Sequence, residues 1–110
     1  MEISIVDNGD IKIAHFKGNL DTNTAPTAEE ELRPIFEESG AKLIINLKET
    51  NYVSSAGLRV FLASAKKISA NAGVFKLCTP NDVVKEILDI SGFSTILDVV
   101  DTEEDAIANM

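Results

Sequence analysis

Two polar segments of this 110-residue chain hold the side chains best suited to chemistry. In the first, Ser54 and Ser55 stand directly before Ala56, Gly57 and an apolar pattern with helical spacing. The hydroxyl of Ser55 at such a helix start can cap unpaired backbone N–H groups, which is the commoner role of serine there. It can also carry a phosphate, because the helix dipole favours negative charge at that end. The spacing alone leaves both roles open for Ser55.

The second polar segment runs from Gly18 to Thr22 and follows a predicted strand. Functional groups in open α/β sheets gather where strands end and helices begin, and both polar segments occupy such places. Gly57, in the first segment, stands early in its predicted helix, where glycine costs roughly 1 kcal/mol relative to alanine. We therefore expect a neighbouring backbone or a partner to approach closely at Gly57.

The remaining candidate groups offer little for catalysis or metal binding. Cys78 is the only cysteine and cannot form an internal disulfide, and His15, the only histidine, cannot build a multi-histidine site. The acidic residues near the C-terminus lack the spacing of a calcium loop, and no glycine-rich phosphate loop is present. We therefore expect no enzymatic activity, no cofactor and no metal. One alternative from another class stays open, a small phosphotransfer enzyme component that uses Cys78.

The charge balance argues against several classes of partner. Eighteen Asp and Glu against ten Lys and Arg give a formal net charge of −8. Nucleic acids and anionic membrane surfaces both attract clustered positive charge, so we expect no nucleic acid and no membrane as partners. The N-terminus shows no signal-peptide pattern, and no apolar run approaches the roughly 20 residues of a membrane span. We expect a cytoplasmic protein.

Hydrophobic patterning predicts the elements that must position these groups. Apolar residues at 3, 5, 11 and 13 alternate with polar residues around an Asn-Gly turn, which indicates a β-hairpin. Helices are predicted over 25–39 and 54–72, then from Thr79-Pro80 to 91 and from 102 onward, with further strands over 42–47, 74–78 and 95–100. Pro34 should kink the first helix or divide it after Arg33.

The order of these elements predicts an α/β fold in one domain that spans residues 1–110. Strands that alternate with helices form parallel pairs joined by right-handed crossovers. We expect a mixed sheet of about five strands, with an antiparallel hairpin at the N-terminus, packed with about four helices. Both polar segments then lie where strands end.

Four segments of the chain match one known pattern in the same order. Val53–Val60, with the sequence VSSAGLRV, is preceded by Gly18–Asp21, with the sequence GNLD, and by Asn46-Leu47 on a predicted strand. Val83–Phe93 forms a predicted helix with a Ser-Gly exit. Together these segments resemble the STAS domain family, in the version found in bacterial anti-sigma factor antagonists. The resemblance covers nearly the whole chain, and four motifs in register are more specific than any single one.

The resemblance implies a regulatory switch and not an enzyme. In the family, the unmodified antagonist binds an anti-sigma factor that is also a serine kinase, and so frees a sigma factor. Phosphorylation of a serine at the helix start releases the antagonist, and a serine phosphatase resets it. Carried over by position, Ser55 is the modified residue, with Ser54 as the second choice. The residues that the resemblance places at the partner interface are Asp21, Thr22, Asn23, Ser54, Ser55, Gly57, Leu58 and Arg59.

Two departures from the family pattern bear on this assignment. Many members carry Asp immediately before the target serine, where this chain has Ser54, and a second Ser or Thr often follows, where it has Ala56. Some STAS domains act without phosphorylation, so a constitutive scaffold stays open as an alternative. Beside Ser55 we expect an exposed apolar patch with one cation, formed by Leu58, Arg59 and Leu62.

Overall fold

The computed structural model describes all 110 residues and shows a six-stranded sheet packed with four α-helices. The strands are β1 (Glu2–Asn8), β2 (Ile11–Leu20), β3 (Lys42–Asn46), β4 (Thr50–Val53), β5 (Val74–Cys78) and β6 (Val99–Val100). The helices are α1 (Ala25–Phe36), α2 (Ser55–Ala70), α3 (Asp82–Ile90) and α4 (Glu103–Ala108), with a short 3-10 helix at Phe93–Thr95. The predicted α/β class and mixed sheet are confirmed.

Pairing between strands is antiparallel only in the N-terminal hairpin. β1 pairs with β2 from Glu2 opposite Lys17 to Asn8 opposite Ile11, and Gly9 in the turn has a φ of +63°. Along the sheet the order is β1-β2-β3-β5-β6, and β4 pairs with β2 off this path. All the other pairs, β2–β3, β2–β4, β3–β5 and β5–β6, are parallel. Parallel pairing brings the C-terminal ends of β2 and β4 to the same edge. β2 extends to Leu20, so the first three residues of the polar segment Gly18–Thr22 belong to the strand and do not follow it as predicted.

β4 is the strand that the sequence analysis does not predict. Only its first and last residues are buried, so the segment shows no alternation. It pairs because β2 is ten residues long and extends past β3, with a register shift between Gly18 and Asn19. Thr50 anchors it, since its buried hydroxyl donates to the carbonyl oxygen of Phe16 at 2.7 Å. The sheet therefore has six strands where the sequence predicts about five.

The two faces of the sheet are covered unequally. On one face, α1, α2 and α3 contribute to a core of 21 buried residues that includes Phe16, Phe36 and Phe61. On the other face, a cluster of five buried residues includes Ala106 from α4. Burial of apolar area stabilises a fold by roughly 25 cal/mol per Å². Most of the hydrophobic stabilisation therefore comes from the face that carries α2, which holds the start of that helix in place.

Two predictions that concern prolines differ from the structure. α1 runs without interruption from Ala25 to Phe36, so the predicted division after Arg33 is wrong, and the helix ends before the predicted residue 39. Pro34 lies in the last turn, where the loss of one backbone N–H leaves most of the helix intact. Pro80 does not open α3, because Asn81 is the N-cap and its side chain accepts a backbone N–H of the first turn at 2.9 Å.

The last strand is shorter than the sequence predicts. Only Val99–Val100 pairs with β5, while Phe93–Thr95 forms the 3-10 helix. Gly92 precedes that turn with a φ of +81°, a conformation that glycine adopts without strain. Two of the apolar residues that predict a longer strand differ in burial, since Leu97 is buried in the core and Ile96 is exposed.

Candidate functional site

The sheet places the two polar segments side by side. In the parallel pair of β2 and β4, Leu20 lies opposite Val53. One residue further on, the backbone N–H of Ser54 donates to the carbonyl oxygen of Leu20 at 2.9 Å. Asp21 therefore follows the end of one strand where Ser54 follows the end of its neighbour. Residues more than thirty positions apart in the chain thus share one edge of the sheet.

Ser54 and Ser55 have different roles in the structure. Ser54 is the N-cap of α2, with an extended backbone, and its Oγ accepts the backbone N–H of Gly57 at 3.3 Å. Ser55 is the first helical residue, its side chain is exposed, and its hydroxyl makes no hydrogen bond within the protein. The capping role that the sequence favours for Ser55 therefore belongs to Ser54. Ser55 is left with a free hydroxyl at the positive end of a 16-residue helix.

Gly57 is confirmed as a point of close approach. A Cβ at this position would lie 2.7 Å from the carbonyl oxygen of Leu20 and 2.9 Å from side-chain carbons of both Leu20 and Val53. These distances are shorter than van der Waals contacts, so only glycine allows α2 to begin this close to the strand ends. The neighbour that requires glycine is the protein's own β2 and β4.

Asp21 shapes the turn between β2 and α1. Its Oδ1 accepts the backbone N–H of Asn23 at 2.9 Å and that of Thr24 at 3.2 Å. The side chain is half-buried, whereas Thr22 and Asn23 are exposed. Asp21 thus has a structural role, and its carboxylate also puts a negative charge at the edge of the sheet where α2 begins.

Two open grooves flank the start of α2. The groove on the α3 side, with a volume of about 450 Å³, is lined mainly by apolar side chains. Its lining residues are Tyr52, Val53, Ser55, Leu58, Val83, Glu86, Ile87, Ile90 and Ser91. The groove on the α1 side, with a volume of about 410 Å³, includes Thr22, Glu29 and Arg59. The first turn of α2 therefore forms a ridge, with Ser55 beside one groove and Arg59 beside the other.

The exposed patch predicted at Leu58, Arg59 and Leu62 is only partly present. Leu58 is just 7% exposed, so for this residue the prediction is wrong. The helical repeat turns it toward the core with Phe61, while Arg59 is exposed and Leu62 half-buried. Leu58 still lines the α3-side groove, where its side chain forms part of the wall.

The exposed apolar residues near Ser55 are not the ones predicted for the patch. Tyr52, Val83 and Ile90 are 48%, 54% and 79% exposed. The signal was present in α3, which carries more apolar residues than one buried stripe requires. Of these, Val84 and Leu88 are completely buried, whereas Val83 and Ile90 face outward.

Cys78 and His15 lie outside this site. Cys78 is completely buried, and burial raises the pKa of its thiol, so the reactive thiolate is disfavoured. This environment argues against a phosphotransfer role for Cys78. His15 is half-exposed, with Nε2 3.7 Å from Glu103 Oε1 in a polar cleft beside α4. No three His, Cys, Asp or Glu side chains converge as metal ligands, and no helix has the length and apolarity to cross a membrane.

Sequence comparison identifies relatives along almost the full length of the chain. A family model described as STAS domain matches residues 2–106. The anti-sigma-B factor antagonist of Bacillus subtilis (strain 168) is 33% identical over 93 residues, which cover 84% of this chain and 84% of that protein.

Solved structures share the fold at lower sequence identity. An anti-sigma factor antagonist from Mycobacterium paratuberculosis has a TM-score of 0.89 at 20% identity, covering 98% of this chain and 92% of that one. The anti-sigma factor antagonist SpoIIAA in its unphosphorylated form has a TM-score of 0.80 at 22% identity, covering 98% and 95%. The Bacillus cell fate determinant SpoIIAA in its phosphorylated form has a TM-score of 0.74 at 18% identity, covering 98% of both chains. From the family match, the motifs and the shared fold together, we conclude that this chain belongs to the STAS domain family.

Proposed function

We propose that this protein is an anti-sigma factor antagonist switched off by phosphorylation of Ser55. In its unphosphorylated form it binds an anti-sigma factor with serine kinase activity and frees a sigma factor in the cytoplasm; a serine phosphatase restores it. The observation that carries the proposal is the exposed hydroxyl of Ser55, which has no hydrogen-bond partner and lies on the ridge between two grooves. Similarity to the anti-sigma-B factor antagonist of Bacillus subtilis supports the class of partner.

Ser55 is a better modification site than Ser54 for a physical reason. The Oγ of Ser54 already accepts the N–H of Gly57, and loss of such a cap costs about 1 kcal/mol of stability. A phosphate on Ser55 leaves that cap in place and sits at the helix N-terminus, where the dipole favours a negative charge. Modification of Ser55 therefore changes the surface without disturbing the fold.

The switch needs only a local change in charge. Phosphorylation adds a charge of about −1.5 to −2 at the start of α2, next to the strand end that Asp21 follows, in a chain that already carries −8. A partner that covers Ser55 would have to bury this dianion against the apolar wall formed by Val53 and Leu58. Leaving one charge of this kind unpaired at an interface costs several kcal/mol, whereas a tenfold loss of affinity needs about 1.4 kcal/mol.

The interface of this proposal includes the residues around the ridge. Thr22, Asn23 and Arg59 are exposed and reach the partner directly. Asp21, Ser54, Gly57 and Leu58 act mainly by fixing the shape of the ridge, since they hold turns, caps and close packing. These roles predict that substitutions in the first group change affinity with little effect on stability.

Phosphorylation is tested by incubating the protein with ATP and the anti-sigma factor kinase of the same organism. The expected result is one phosphate, located on Ser55 by mass spectrometry and absent from the Ser55→Ala variant. A phosphate on Ser54, Cys78 or an aspartate would refute the assignment. A protein that binds the anti-sigma factor but never accepts phosphate would instead be a constitutive scaffold.

Binding is tested by titrating variants against the same anti-sigma factor. We expect Ser55→Ala to bind like the wild type and Ser55→Asp to bind at least tenfold more weakly. Ser69→Asp is the matched control, because Ser69 is exposed in the last turn of the same helix. The substitution therefore adds the same charge far from the ridge. Equal affinity of Ser55→Asp and Ser69→Asp would contradict the switch.

A further inference from the structure

α3 has a second apolar face that nothing in the protein covers. Val84 and Leu88 on its inner face are completely buried, while Val83 and Ile90 are 54% and 79% exposed. Residues 83, 87 and 90 follow a helical repeat and form one stripe, in which Val83 and Ile90 are exposed and Ile87 is half-buried against the core. Exposed apolar residues that share one stripe differ from the singly scattered ones that are normal for a protein surface.

This stripe forms one wall of the groove that borders Ser55. The opposite wall consists of Tyr52, Val53 and Leu58, and the volume between the walls is about 450 Å³. Asn81, at the start of α3, donates from its Nδ2 to the carbonyl oxygen of Thr50 in β4 at 2.6 Å. This hydrogen bond ties α3 to the strand that carries Tyr52 and Val53 of the opposite wall.

The charges of α3 favour a basic occupant. Glu86 lines the groove, and Asp82 and Asp89 lie elsewhere on the same helix. All three are exposed, and none belongs to any of the six ion pairs of the protein. Lys85, the only cation on this helix, lies 3.9 Å from Asp101. A second copy of this chain would bring the same carboxylates to the interface, and it carries the same net charge of −8 over its whole length. Self-association through this groove is therefore electrostatically disfavoured.

We propose that the groove receives an amphipathic helix of the anti-sigma factor, with aliphatic side chains against Val83 and Ile90 and basic side chains beside Glu86. This inference rests on the proposed function and adds a second contact area to it. Apolar anchors in a groove with charged residues at its rim are a common mode of helix recognition. Ser55 lies on the wall opposite α3, so its phosphate would meet the aliphatic anchors and not the basic rim.

The test measures the affinity of the unphosphorylated protein for the anti-sigma factor of the same organism. We expect Ile90→Ser and Val83→Ser each to weaken binding about tenfold or more, and Glu86→Lys to weaken it and reduce its salt dependence. Ile96→Ser is the matched control, since Ile96 is 64% exposed and does not line the groove. All these side chains are largely exposed, so circular dichroism should show an unchanged fold.

The outcomes separate this inference from the proposed function. If Ser55→Asp weakens binding while Ile90→Ser and Val83→Ser match Ile96→Ser, the groove proposal is overturned and the switch stands. If the groove variants bind weakly and Ser55→Asp binds normally, the groove proposal stands and the switch fails. Sedimentation that shows a wild-type dimer broken by Ile90→Ser would overturn the proposal in favour of a second copy. Absence of binding by the wild type would overturn both.

Discussion

Replacing Gly57 with alanine sets helix propensity against close packing at the base of the ridge. Gly57 lies in the first turn of α2, where alanine should gain up to about 1 kcal/mol because glycine is a poor helix former. The new Cβ would meet the carbonyl oxygen of Leu20 at 2.7 Å and carbon atoms of Leu20 and Val53 at 2.9 Å. The two effects change the free energy of unfolding in opposite directions, so the stability of the variant shows which effect is larger.

The packing effect should be the larger. Two of the three contacts are with side-chain carbons packed in the core, and the third is with a backbone oxygen that already accepts the Ser54 N–H at 2.9 Å. Overpacking of this kind costs typically 1–3 kcal/mol, and three simultaneous short contacts place Gly57→Ala in the upper half of that range. After subtraction of the propensity gain, we expect a net loss of about 1–2 kcal/mol in the free energy of unfolding.

Urea unfolding followed by circular dichroism measures this loss. Lys66 lies on the same helix, is exposed and forms no ion pair, so Lys66→Gly and Lys66→Ala serve as the control pair. At that position alanine should be more stable than glycine by up to about 1 kcal/mol, the opposite sign to position 57. If Gly57→Ala proves as stable as the wild type with the same dependence on urea, the steric argument is refuted.

Three further predictions address the cap, a strained residue and the buried thiol. Ser54→Ala should lower the free energy of unfolding by about 1 kcal/mol in urea titrations, because the N–H of Gly57 loses its acceptor. Ser54→Asp should stay near the wild type, and equal loss in both variants would contradict the capping role. Ala72 has a φ of +61° in an exposed turn, so Ala72→Gly should raise the melting temperature through a gain of about 0.5–1 kcal/mol. A lower melting temperature would show that strain is absent there. Burial raises the pKa of Cys78 in the folded state, so the unfolded thiol ionises first, with a pKa of about 8.5. The stability that the buried neutral thiol contributes is complete below that pKa and is lost as the pH rises from there through the folded-state pKa. Cys78→Ala should remove that part of the pH dependence, and a thiol reagent should label native Cys78 only as fast as the protein unfolds.

The helix boundaries show why local patterns predict element type better than exact position. The pattern after Gly57 predicts α2 correctly, because its apolar residues recur at helical spacing over four turns. Its starting residue depends on β4, a strand with no alternation that forms only because β2 offers a free edge. The choice of Ser54 over Ser55 as the cap follows from that long-range pairing. A shift of one residue in the start of the helix would exchange the roles of Ser54, whose hydroxyl is hydrogen-bonded, and Ser55, whose hydroxyl is free.

Burial along the helices is likewise only partly predictable from local patterns. The spacing of apolar residues predicts which positions share a face, but not which face meets the sheet. The sequence is therefore compatible with Leu58 in an interface or in the core, and in the structure Leu58 belongs to the core together with Phe61. In α3, Val83 and Val84 are adjacent and chemically identical, yet one is exposed and the other completely buried. The direction in which α3 packs against β4 decides between them.

The class of this protein can be predicted from its sequence, because it depends on local and compositional properties. These are the alternation of strands and helices, a hairpin turn, a net charge of −8 and the motif around Ser55. Assembly of the site cannot be predicted in this way, because its parts come from distant segments. Asp21 meets the start of α2 only through the pairing of β2 with β4, and the groove exists only where α3 packs beside β4. Pairing and packing between distant residues depend on the whole fold, which no local pattern specifies.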